Sequence, residues 1–220
     1  MRIAPLAFVL DPLKARDRTI IRDVCRITHH NEESYVGTLA VVLAIHFVHA
    51  GLWSGQKRFL TLVVDSLPDS AVRDRMEEFV RSNVIPEEAA SRFGVSGYVV
   101  DTVPLALNFA QYITEEPLSA VLARAITAGG DTDTIASITG QIAGTVVGAT
   151  SISRDFFDDI DAGEEILRIG GQFAHLLPQC VADGSKRFSI ATPTVNRLRF
   201  SAKLIVWSFP REAHHDDDHD

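Results

Sequence analysis

The chain has 220 residues, 46% of them hydrophobic and 23% charged, which is an ordinary globular composition long enough for one domain with a real core. A formal charge of −8 argues against nucleic-acid binding, which rests on basic patches. Two cysteines, Cys25 and Cys180, lie in neither CxxC nor zinc spacing, so a disulfide framework is not expected and a reducing cytoplasm fits best.

Taken in order, residues 1–10 are apolar but short, carry Arg2 and lack a cleavage-type end, so they read as part of the fold rather than a leader. Residues 13–28 alternate charged and apolar positions at spacings of three and four, predicting an amphipathic helix. Asn31-Glu32-Glu33-Ser34 breaks the chain and starts an apolar helix over 35–50. The apolar run 36–50 falls short of the ~20 residues a membrane span needs, so it reads as a buried helix, with His46 a satisfied core histidine. Residues 57–65 have no clean period and stay open between helix and strand. Pro68-Asp69-Ser70 starts a helix over 71–84, and Pro86 opens a short one over 86–93.

Residues 99–113 read as a helix, with Pro104 placed in its first turn, where a proline is tolerated. A helix over 117–127 and another over 131–149 follow, the second carrying Gly140, Gly144 and Gly148 as a face for close helix approach. A last helix spans 161–177 and ends at Pro178. The main body, 1–179, is therefore all-α. Residues 180–220 form an appended segment whose His/Asp-rich end is expected to be disordered.

One stretch carries chemistry. After Gly129-Gly130, the tetrad Asp131-Thr132-Asp133-Thr134 places two carboxylates and two hydroxyls on one helical turn. Apolar burial gains nothing from oxygens packed so densely, whereas a hard divalent cation requires them. The glycines permit a tight turn and close approach of a ligand to the backbone, and the helix start offers free N–H groups to an anion. Simple N-capping accounts for one acid and one threonine at about 1 kcal/mol, and leaves the second aspartate and the glycines unexplained. Two positions apart on a helix, Asp131 and Asp133 are expected to point in different directions, each toward its own cation.

The run from Ala128 through Asp131, Asp133, Thr134 and Ile135 to Gly140 and Gly144 resembles the C-terminal motif of the ADP-ribosylglycohydrolase family. Three shorter stretches resemble its other segments in the same order: Met1-Arg2-Ile3-Ala4-Pro5-Leu6, Thr28-His29, and Ser96-Gly97-Tyr98-Val99-Val100-Asp101-Thr102. The resemblance implies an all-α orthogonal helical bundle that removes ADP-ribose from a modified side chain or small molecule. It further implies magnesium or manganese, two ions in the family and one or none here, with Asp131, Asp133 and Thr134 as metal ligands. His29, Gly97, Tyr98, Gly129 and Gly130 are the implied substrate contacts.

The family's Ser/Thr-Asp-Asp segment has no counterpart; the adjacent acids Asp158-Asp159 and those from Asp216 to Asp218 fall elsewhere. The expectation is thus an N-terminally truncated member, weak or inactive alone. The alternatives are one half of a split enzyme paired with a separate N-terminal half, or a non-catalytic ADP-ribose-binding or interaction module. No catalytic acid or base is assigned.

Overall fold

The structure is a computed structural model describing residues 2–55, 59–154, 157 and 160–184, with side chains described as far as residue 177. Among these residues there are helices and turns and no strand, as the sequence predicts. The helices are α1 (Ala15–Arg26), α2 (Glu32–His49), α3 (Phe59–Val64), α4 (Ala71–Ser82), α5 (Pro86–Phe93), α6 (Val99–Ala110), α7 (Leu118–Thr127), α8 (Thr132–Val147) and α9 (Gly163–Gly184). Of the appended segment, 185–220 lies outside the described residues, as does Asp158-Asp159.

Local chemistry sets most boundaries. Asn31 caps α2, its side chain accepting from the Ser34 amide, and Ser70 caps α4 by accepting from the Arg73 amide. Pro86 occupies the first turn of α5, where its missing N–H costs nothing. α4 ends at Asn83, which takes the left-handed conformation (φ 47°) that asparagine tolerates better than most residues. The open stretch 57–65 contains the helix α3, buried through Phe59, Leu60, Val63 and Val64.

Four expectations are corrected. Pro104 is the sixth residue of α6, beyond the first turn, so Val100 loses its usual intrahelical donor there. α6 also tightens after Ala110 into a 3-10 turn, Gln111–Thr114, instead of running regularly to 113. Pro178 does not end the last helix, which continues to Gly184; one proline removes one i→i−4 bond, and the flanking bonds carry the helix past it. Nor is Gly144 a point of close helix approach, because no described atom lies within 4 Å of where its Cβ would be. That role falls to Gly37 in α2, whose Cβ would stand 2.3 Å from Val99 Cγ2.

The core is built on α2, α6 and α8, which pack on one another with α7 against α8. Leu39, Leu43, Ile45, Leu105, Leu107, Phe109, Ile135 and Ile142 are all fully buried, each contributing about 1.5–3 kcal/mol of transfer free energy. Their relative direction follows from contacts at both ends. Gly37 meets Val99 near the starts of α2 and α6, while Gly55 and Thr114 meet just past their ends. Gly97 and Asp131 meet at the starts of α6 and α8, and seven residues further on Thr139 Oγ1 donates to the Ala106 carbonyl. The three helices therefore run parallel, with their N-termini at one end of the bundle.

Candidate metal and nucleotide site

At that end α7 passes into α8 through two left-handed residues, Gly129 (φ 81°) and Gly130 (φ 69°), a conformation that favours glycine. The two differ in surroundings. Gly129 has open space where a Cβ would go, whereas at Gly130 a Cβ would lie 2.0 Å from the Val95 carbonyl oxygen. The chain passes this close because the Asp131 amide donates to Val95 O at 2.9 Å. The turn is thus fastened to the loop 94–98 that precedes α6.

Asp131 occupies the N-cap position of α8 but forms no capping hydrogen bond with good geometry. Asp133 lies in the first turn beside it. The two carboxyl groups are close enough to influence each other's ionisation. Asp131's backbone at φ −77°, ψ 63° is outside the helix.

Burial first, and then Asp133, push the Asp131 carboxyl above the usual carboxylate range, with the Thr134 hydroxyl and amide pulling the other way. Asp133 is held low, chiefly by its hydrogen bond with Asp131. Among the described residues no basic side chain offsets either carboxylate.

Two neighbouring carboxylates and the Thr134 hydroxyl suit one hard divalent cation that keeps several waters. Among the described residues no group of three or more His, Cys, Asp or Glu side chains forms a closed cage. The donor set fits a single, partly hydrated ion better than two.

The predicted residues come together unevenly. Gly97 abuts the site directly: a Cβ there would lie 2.9 Å from Asp131 Oδ2. Tyr98 is the N-cap of α6 and 56% exposed, leaving its ring free at the rim. His29 precedes α2 at the same end of the bundle, exposed, with Nδ1 2.8 Å from Thr28 Oγ1.

Of the segment 1–6, the described residues 2–6 go elsewhere. They lead into the 3-10 turn Ala4–Phe8, whose Phe8 ring packs on His49 near the opposite end of α2. Buried His46 lies beside this turn with Nε2 4.0 Å from Asp11, a core histidine as expected but not a fully satisfied one, since its buried Nδ1 has no hydrogen-bond partner among the described residues.

Sequence reasoning gave no role to Val95, Arg75 or Asp101. Asp101 accepts from Arg75 Nη1 at 3.1 Å and from Ser96 Oγ at 2.6 Å. Nothing distinguishes Arg75 in the sequence from the other charges of amphipathic α4. The Val95 contribution is a backbone carbonyl, which leaves no trace in residue type.

These features define a helical protein with an acidic, glycine-flanked turn beside a tyrosine-bearing loop. A model of the ADP-ribosylglycohydrolase family matches residues 1–182, and the chain belongs to that family. It is similar to the ADP-ribosylarginine hydrolase Tri1 of Serratia proteamaculans (strain 568), with 34% identity over 84 residues. That alignment covers 38% of this chain and 22% of the relative, so the chain spans about a fifth of the length of the protein it matches.

Proposed function

We propose that this chain is a hydrolase that removes ADP-ribose from a modified protein side chain or a small ADP-ribosylated molecule. Family membership supports the reaction class, and the relative's name makes arginine the first acceptor to try. The observation that carries the site is the uncompensated carboxylate pair on the first turn of α8. Asp131, Asp133 and Thr134 would hold a magnesium or manganese ion, which supplies positive charge to substrate oxygens as the anomeric carbon gains oxocarbenium character.

The rest falls to the chain's own groups. Gly129 leaves the backbone open to a ligand's approach, Gly130 lets the turn close on the Val95 carbonyl, and the first amides of α8 suit an anionic diphosphate. Gly97, lacking a side chain, leaves room for the Asp131 carboxylate. Tyr98 and His29 stand at the same end, the ring available for stacking and the imidazole for hydrogen bonding. Among the described residues no helix is long and apolar enough to cross a membrane. A cytoplasmic setting remains part of the proposal, resting on the scarcity of cysteine.

Release of ADP-ribose from ADP-ribosylarginine by the purified chain is the test. Manganese-dependent release that falls at least about 100-fold in Asp131→Ala and Asp133→Ala supports the reading. Release that is indifferent to chelator and to both substitutions overturns it. A second reading, ADP-ribose binding without turnover, is favoured by the absence of a third acid near the pair among the described residues. Calorimetric binding of ADP-ribose with no release from the arginine conjugate selects it.

A further inference from the structure

We propose that Asp101 is a positioning residue for Asp131, acting through the loop 94–98. Residues of this loop alternate in what they face. Ser96 and Tyr98 turn toward α6: Ser96 Oγ donates to Asp101 Oδ2 at 2.6 Å and accepts from the Tyr98 amide at 3.2 Å. The buried Thr102 hydroxyl lies 2.8 Å from the Ser96 carbonyl and 3.0 Å from that of Tyr98. Val95 and Gly97 turn toward α8, the first accepting from the Asp131 amide and the second abutting the Asp131 carboxylate.

Arg75 secures the other side of the clamp. Its Nη1 is 3.1 Å from Asp101 Oδ1 and 3.4 Å from the Phe93 carbonyl, and its guanidinium lies over the Phe93 ring at 4.8 Å. Both Asp101 oxygens are thus engaged, one by α4 and one by the loop. A loop fixed at Phe93, Ser96 and Tyr98 can move Val95 and Gly97 only by breaking these bonds. Asp131 inherits that rigidity at its amide and at its carboxylate. An acid in the first turn of α6 would also stabilise the helix dipole, and that simpler role would leave Asp131 untouched.

Only the metal arm of the test rests on the proposed function. Hydrogen exchange of the Asp131 amide is measured in wild type, Asp101→Ala, Asp101→Asn and Ser96→Ala, together with Mn2+ affinity by electron paramagnetic resonance. Asp101→Ala and Ser96→Ala are expected to speed exchange at Asp131 by about tenfold or more. Their Mn2+ dissociation constants should rise about 10–100-fold, as for lost outer-shell partners of metal ligands. Asp101→Asn, which keeps an acceptor for Ser96, should restore most of the protection.

Glu87→Gln, which breaks the distant pair with Arg124, serves as the stability control and should move neither readout. Unchanged exchange at Asp131 in both Asp101→Ala and Ser96→Ala overturns the proposal; if Asp101→Ala does not fold, Ser96→Ala decides. A wild type that binds no Mn2+ removes the metal reading, and exchange at Asp131 still judges the clamp.

Discussion

Gly129 and Gly130 share a left-handed backbone but not a neighbourhood, and that difference is measurable. Gly129→Ala should cost about 1–2 kcal/mol of unfolding free energy, the price of a Cβ in that conformation. Gly130→Ala adds a collision with the Val95 carbonyl and should cost more than about 3 kcal/mol by denaturant melt, because a backbone atom cannot step aside. For the carboxylate pair the prediction has opposite signs with and without metal. Asp133→Asn relieves a like-charge contact and should raise the metal-free melting temperature by about 1–2 °C, while abolishing the increment that Mn2+ gives the wild type. Residue types announced this turn in the sequence, since clustered acids after paired glycines have few other uses. The non-helical backbone of Asp131 was not legible, because helical spacing does not encode it.

At the scale of elements, the N-terminal ends of α2 and α6 meet where Gly37 lies against Val99. Gly37→Ala should force the two apart and lower stability by about 1–3 kcal/mol, read as a fall in denaturant midpoint at constant m-value. Removing the α2 cap with Asn31→Ala should cost about 1 kcal/mol. Amphipathic α1, α4 and α5 were readable from charge spacing, and caps and prolines marked most starts. The all-round apolar α2 and α6 gave existence but no facing direction, because a helix buried on every side has no polar stripe to orient it. Pro178 misled because neighbouring hydrogen bonds sustain a helix across a proline that local rules would treat as a boundary. The Arg75–Asp101 pair joins α4 to α6 across 26 residues, a separation no local pattern spans.

For the molecule as a whole, acid should act through His46. Burial pushes its imidazole below the usual histidine value of 6.5, against the opposing pull of Asp11 and the Ala7 carbonyl, with Lys14 adding to the depression. The folded state therefore takes up a proton less readily than the unfolded one. Stability from this group is intact above pH 6.5 and is lost as pH falls below it, by up to about 1.4 kcal/mol per unit until His46 itself protonates. Melts between pH 7.5 and 5 should show this slope, and His46→Gln should flatten it.

The parallel course of α2, α6 and α8 bears on how the molecule is made. Parallel neighbours cannot be joined by a tight hairpin, so the chain must travel back along the bundle twice before the acidic turn meets its loop. As a nascent chain leaves the ribosome, that end remains unfinished until residues beyond Asp131 have emerged. Assembly there should be among the last steps of folding, and slower than the local formation of α4 and α5.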